Sequence, residues 1–209
     1  MSLPAILERI AQIDQIIAPK PKPSASTAGS SSDFLHALTS GIQRGSSLAA
    51  PAVASVNPNP PAPGGAGALA AAQSQVGVAE QPPGSNDGPQ IAQYRTATAG
   101  SGVGPWCAYF TSWAAAQAGV PLGEAGQGFG SVSALYGWAQ RTGRATPAGP
   151  GVRPNPGDLI VWGGRHIGIV ESVDADGSIH TIEGNSSNAV SRRTYGADGG
   201  GATGYVHLG

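Results

Sequence analysis

All four Trp, all five Tyr and the single Cys of this 209-residue chain lie beyond Leu69, and that lopsided placement decides where a core can form. Residues 19–67 are dominated by Pro, Ser, Ala and Gly, which offer too little apolar surface to offset the entropy of ordering the backbone. They read as a disordered linker, with Ala49 to Gly67, including Pro58, Pro60, Pro61 and Pro63, as an extended tether. The stretch 68–209 is long enough for a buried core. The expected organisation is an appendage over 1–18, a linker over 19–67 and one folded domain over 68–209.

Within the appendage, Leu3, Ile6, Ile10, Ile13 and Ile17 share one helical stripe, and Pro19 stops the helix. A short amphipathic helix of this kind docks on its own domain, binds a partner or self-associates. Inside the linker, Asp33 as N-cap and Phe34, Leu35, Leu38 and Ile42 at helical spacing predict a second short helix over 33–44. So short a helix is marginal in isolation.

A formal charge of minus one with 11 Lys and Arg leaves no basic stripe to track a phosphate backbone, so nucleic acid is not an expected partner. One Cys excludes an internal disulfide and a four-Cys zinc site. No run of 18 apolar residues occurs, so no membrane-inserted helix is expected. Glu8, Arg9, Asp14 and Gln15 interrupt the apolar core a secretory signal peptide would need.

Within the folded part, helices are predicted over Leu69 to Val78, around Gln90 to Tyr94, from Cys107 to Ala118 and near Val132 to Gln140. After Pro156-Gly157-Asp158 the pattern turns to strands: Leu159 to Trp162, His166 to Val173, Ser178 to Glu183, Ala189 to Thr194 and Gly204 to Leu208. Helices first and an antiparallel sheet afterwards make an α+β fold.

A lone Cys is most often buried packing. Cys107, however, falls at a helix start, where free backbone N-H groups and the macrodipole favour a thiolate, the form that attacks carbonyls. A nucleophile needs a base, and spacing alone does not choose among His36, His166, His180 and His207. Strand parity does. Asp174-Ala-Asp-Gly177 predicts a hairpin turn, and a loop centred between 175 and 176 sets His166 opposite Asn185 and Gly168 opposite Glu183. A tighter loop centred on Asp176-Gly177 shifts the partners and keeps the faces. Under both registers His166, Glu183 and Asn185 share a face and His180 takes the other, an argument that one bulge would invert. An imidazole beside a carboxylate or amide has its tautomer and orientation fixed, as in a catalytic triad. Gly168, with no side chain, leaves that face open to substrate, and Trp106 and Trp162 are candidates to line it. At least two of Trp106, Trp113, Trp138 and Trp162 are expected in the core.

At these residues the sequence resembles the CHAP family, cysteine- and histidine-dependent amidohydrolases and peptidases that cleave bacterial peptidoglycan. The likeness runs from about Ala70 to Leu208 and rests on Pro105-Trp-Cys-Ala-Tyr-Phe-Thr-Ser-Trp113, Pro156-Gly-Asp-Leu-Ile-Val-Trp162, His166-Ile-Gly-Ile-Val-Glu-Ser-Val173 and Thr181-Ile-Glu-Gly-Asn185. It implies a papain-like fold with Cys107 at the start of a helix packed on the sheet that bears His166. Glu183 would orient the histidine and Asn185 would be a fourth site residue. The segment Gly77-Val-Ala-Glu-Gln-Pro-Pro-Gly-Ser-Asn86 resembles a lead-in found in many members, phage endolysins included.

Some members carry an acidic calcium loop upstream of the cysteine, where only Asp87 stands here, and Asp174 and Asp176 fit a hairpin turn better than a calcium loop. No metal and no cofactor are expected. The N-terminal helix and the Asp-Phe-Leu-His-Ala-Leu segment after it resemble leaders of wall hydrolases encoded among actinobacterial flagellar genes. Flagellar rod or export components would then be partners, and flagellar export would carry the chain to the cell wall without a Sec signal. The implied activity is cleavage of the N-acetylmuramoyl-L-alanine amide or of a peptide cross-link, and the sequence does not choose between them. The alternatives are a non-catalytic wall-binding or flagellar assembly factor and a phage endolysin.

Overall fold

The computed structural model describes residues 60–209. The helices expected over 1–18 and 33–44, His36 and most of the linker lie outside the described residues. Four helices come first: α1 (Pro63–Gln73), α2 (Pro89–Arg95), α3 (Cys107–Gln117) and α4 (Val132–Arg141). Six strands follow: β1 (Ala145–Pro147), β2 (Leu159–Trp162), β3 (His166–Val173), β4 (Ile179–Ser186), β5 (Ala189–Tyr195) and β6 (Gly204–Val206). They form one antiparallel sheet in the order β1-β6-β2-β3-β4-β5. This is a mixed helix and antiparallel-sheet architecture of the α+β kind.

Helix α3 lies at the centre. Its residues from Cys107 to Ala115 are all buried, so it shows no amphipathic stripe, as befits a helix covered on every side. It packs on α1, α2, α4, β3 and β4. Tyr94 of α2 meets the rings of Trp106, Phe110 and Trp113 at 5.9, 5.3 and 4.9 Å. Alternation along the strands sorts the sheet's apolar residues between two clusters. Leu159, Val161, Ile167, Ile169 and Ile182 join the helices in one, while Ile160, Trp162, Val170, Ile179 and Tyr205 build a second. All four Trp are buried.

The helical part starts earlier than composition suggests, because α1 opens at Pro63 inside the stretch read as tether. Pro suits the first turn of a helix, and the glycines allow close contact. A Cβ on Gly64 would stand 2.1 Å from the Leu208 carbonyl oxygen, and one on Gly67 would stand 2.8 Å from Ala118 Cβ. The helix expected from Leu69 to Val78 therefore runs from Pro63 and ends at Gln73. Strand β1, three residues with Pro147 at its end, pairs with β6 at the sheet edge, where a proline is tolerated, and carries no alternation that would announce it.

The β3–β4 hairpin contains two deviations that cancel. Val173 pairs with Ile179 and Ser172 with His180, so the loop centres on Asp176, a register of opposite parity to both expected ones. Asp176 accepts the Ser178 N-H at 2.9 Å and Gly177 takes φ +93, which stabilise the longer turn. A bulge between Val170 and Ser172 then restores Val170 opposite Thr181 and Ile169 opposite Ile182. Glu171, the bulged residue, turns to Arg192 and Gln73. Beyond the bulge, the register expected for His166 and Glu183 is in place.

Candidate active site

Cys107 is the first residue of α3 and is 5% exposed. The first bond inside that helix runs from the Phe110 N-H to the Trp106 carbonyl at 2.9 Å, so the N-H groups of Cys107, Ala108 and Tyr109 have no intrahelical acceptor. They present partial positive charge beside the sulfur.

His166 opens β3 and bridges the thiol and a carboxylate. Its Nε2 lies 2.7 Å from Glu183 Oε2. With Nε2 so engaged, Nδ1 is the ring nitrogen left for the Cys107 thiol, the other group that acts on the ring's pKa. Burial alone would lower the pKa of this ring. The hydrogen bonds with Cys107 and Glu183 and the charges of both outweigh it, and the ring is pushed up to about 9. Trp162 stacks on the imidazole at 5.5 Å and 26°, fixing its plane.

Glu183 is 1% exposed, and burial by itself pushes its carboxyl up. Donors from His166, from Thr181 Oγ1 at 2.6 Å and from Tyr195 Oη at 2.9 Å reverse that and hold it below the usual carboxylate range. Neither Thr181 nor Tyr195 was singled out from the sequence. Thr181 sits two residues before Glu183 on the same strand, so parity could have found it; Tyr195 depends on the β4–β5 register.

Asn185 meets the site at the peptide before Cys107. Pairing between β4 and β5 shifts between Glu183 and Ser186, and Asn185 takes φ +57, so its side chain leaves the regular alternation. Oriented to satisfy its neighbours, the amide donates from Nδ2 to Glu80 Oε1 at 3.2 Å and accepts the Trp106 N-H on Oδ1 at 3.3 Å. It thus contacts the residue before Cys107. Glu80, 3% exposed, also accepts the Trp106 indole N-H at 2.9 Å and the Asn86 N-H at 3.0 Å. It too was missed, because nothing in the spacing of the lead-in marks it.

The expected substrate-facing residues are placed differently. The Trp106 ring is fully buried beside Tyr94 and Glu80, so it faces core, not groove. Gly168 does not open the face to substrate: a Cβ there would lie 2.7 Å from Glu183 Cγ, so the missing side chain makes room for the carboxylate. Trp162, 7% exposed, remains beside the base, with its indole N-H bound to the Gly199 carbonyl at 2.8 Å. His180 bonds Asp174 at 2.8 Å, away from Glu183, and His207 bonds Thr146 at 2.8 Å and Asp158 at 3.1 Å.

A buried thiol at a helix start, an imidazole and a buried carboxylate behind it, on an α+β frame, make a constellation of the thiol–imidazole–carboxylate kind. Residues 98–185 match the family model of the CHAP domain, which supports a CHAP-domain protein. That domain in general implies a peptidoglycan hydrolase of the amidase or peptidase type. The matched stretch holds Cys107, His166, Glu183 and Asn185 and leaves out Glu80 and α1. No curated protein matches the chain.

Proposed function

We propose that this chain hydrolyses an amide bond in peptidoglycan through Cys107. The observation that carries the reading is the imidazole of His166 held between the Cys107 sulfur and the buried Glu183 carboxylate. In this mechanism the Cys107 thiol gives its proton to His166 Nδ1 and the sulfur attacks the carbonyl carbon, and the oxyanion is met by the Cys107 N-H at the start of α3. Collapse breaks the C–N bond, and the leaving amine takes the proton from His166 Nδ1. A thioester remains. Water then attacks it, His166 accepts the water's proton, and the acid product leaves as the sulfur is released. Glu183 keeps the ring in the tautomer and orientation this requires. Asn185 steadies the approach to Cys107, and Trp162 holds the plane of the base.

The scissile bond is either the N-acetylmuramoyl-L-alanine amide or a peptide cross-link, and the papain-like assignment of the fold belongs to the same proposal. The likeness of the N-terminal segment to flagellar leaders supports work at the cell wall during flagellar assembly, with rod or export components as partners.

The test is digestion of purified peptidoglycan by wild type and Cys107→Ala with mass analysis of the fragments. Muramic acid ends freed of peptide identify an amidase, and cuts within stem or bridge identify an endopeptidase. Equal lysis by Cys107→Ala, or activity that survives thiol alkylation, overturns the mechanism.

A further inference from the structure

Among the described residues, Glu80 is a buried carboxylate that the mechanism above does not use. Its three neighbours, the Trp106 indole, the Asn86 backbone N-H and the Asn185 amide, are all donors, and a ring of donors selects an acceptor-only group. The segment bearing it is anchored: the Glu80 N-H bonds the Asn188 carbonyl at 2.9 Å, and Ala79 bridges Ala189.

The consequence reaches Cys107. Helix α3 has Trp106 at its N-cap and no side-chain cap of its own, although such ends are ordinarily closed by a polar side chain. Here Asn185 supplies an acceptor for the Trp106 N-H from across the molecule. An amide presents that acceptor only if its NH2 faces the other way. Turned over, Asn185 would set its NH2 against the Trp106 N-H and its oxygen against Glu80. The carboxylate therefore dictates the amide's orientation and also pins the indole of the same residue.

We propose that Glu80 is a positioning residue for Cys107, acting through Asn185 and Trp106; this rests on the hydrolase reading above. The experiment compares full-length wild type, Glu80→Ala, Asn185→Asp and the double variant Asn185→Asp with Glu80→Gln. Release of dye from labelled peptidoglycan gives apparent kcat and KM, and thermal melting confirms folding. Iodoacetamide alkylation of Cys107, followed by mass spectrometry, reads the site with no wall present.

Glu80→Ala is expected to lower kcat about 10- to 100-fold with little change in KM, as for a reacting group displaced by about an ångström. Asn185→Asp sets two carboxylates face to face and is expected to lose as much. Adding Glu80→Gln removes the facing charge and offers an N-H to the new carboxylate, at the cost of the indole contact that shares Oε1, so about tenfold recovery from the Asn185→Asp level is expected without a return to wild type, which a merely structural role would not produce. Should Glu80→Ala fail to fold, that recovery decides the matter alone. A folded Glu80→Ala with kcat within about twofold of wild type, or no recovery in the double variant, overturns the proposal. A wild type that cuts no wall, while Cys107 alkylation slows in Glu80→Ala, refutes the hydrolase reading and leaves the positioning role standing.

Discussion

Glu183→Gln probes the base with the least change of shape. The wild-type carboxylate accepts His166 Nε2 on one oxygen and the hydroxyls of Thr181 and Tyr195 on the other. Gln keeps the size and loses the charge. Raising the imidazole from 6.5 to about 9 amounts to roughly 3 kcal/mol of preference for the charged ring, summed over all causes. Cys107 and Glu183 each contribute a hydrogen bond and a charge to it. Losing the Glu183 part of that preference is a change on the order of tenfold. That is the floor. Should the new amide face its NH2 to Nε2, the ring must accept there and carry its proton on Nδ1, facing the sulfur. It then cannot take the thiol proton, and the loss grows to about 10³-fold or more, as for other histidines forced into the wrong tautomer. Should the amide face its oxygen to Nε2, the hydroxyls of Thr181 and Tyr195 turn to accept, and the loss stays near tenfold. The assay pairs kcat on labelled peptidoglycan with a ¹⁵N NMR titration of His166, which reports both tautomer and pKa. The titration midpoint is expected to fall from about 9 toward neutrality in either orientation. A midpoint still near 9 with kcat within about twofold of wild type would refute the role assigned to Glu183.

Activity is expected to fall as pH rises through about 9, because the ring that must return a proton to the leaving amine loses it there. Glu183, held below the usual carboxylate range, should set no loss of activity above about pH 4.5, and a pH–rate profile of wild type checks both limbs. Gly64→Ala puts a Cβ against the Leu208 carbonyl and should cost about 1–3 kcal/mol in a urea melt, whereas a free tether ending at residue 67 would show no change. Gly184→Ala puts a Cβ 2.6 Å from Phe110 Cβ between β4 and α3, and a loss of similar size is expected by thermal melting; an unchanged Tm would contradict that packing.

Much of the fold was readable because its signals are local. Cys107 to Gln117, Val132 to Arg141, Leu159 to Trp162 and His166 to Val173 all follow from period and from the glycines and prolines that bound them. The start of α1 was not readable, since Pro-Gly-Gly-Ala-Gly looks the same whether it is a tether or a helix pressed against Leu208 and Ala118. Pairing His166 with Glu183 from parity reached the right faces, but by a route the chain does not take. The five residues of the turn reverse the parity, and the bulge at Glu171 reverses it again. A bulge is set by where its extra side chain finds partners, here Arg192 and Gln73, and neither is near in sequence. Glu80 was illegible for the same reason: its meaning lies in three donors drawn from Asn86, Trp106 and Asn185.

Asn185 shows how backbone and site are coupled at the end of β4. Its φ of +57 lies in the left-handed region, which a residue with a Cβ enters at a cost of roughly 1–2 kcal/mol and which Asn tolerates better than most. That conformation takes it out of the β4–β5 ladder and lets its amide reach the peptide before Cys107. The two contributions separate by substitution. Asn185→Gly keeps the backbone and loses both amide bonds; Asn185→Ala loses the bonds and adds strain. If the amide's part is to hold the Cys107 approach, both variants should lose kcat to a similar extent. Only Asn185→Ala should suffer the further strain, melting about 1 kcal/mol less stable than Asn185→Gly. Full activity in Asn185→Gly would mean that the turn alone shapes the site and that the amide contacts are incidental to it.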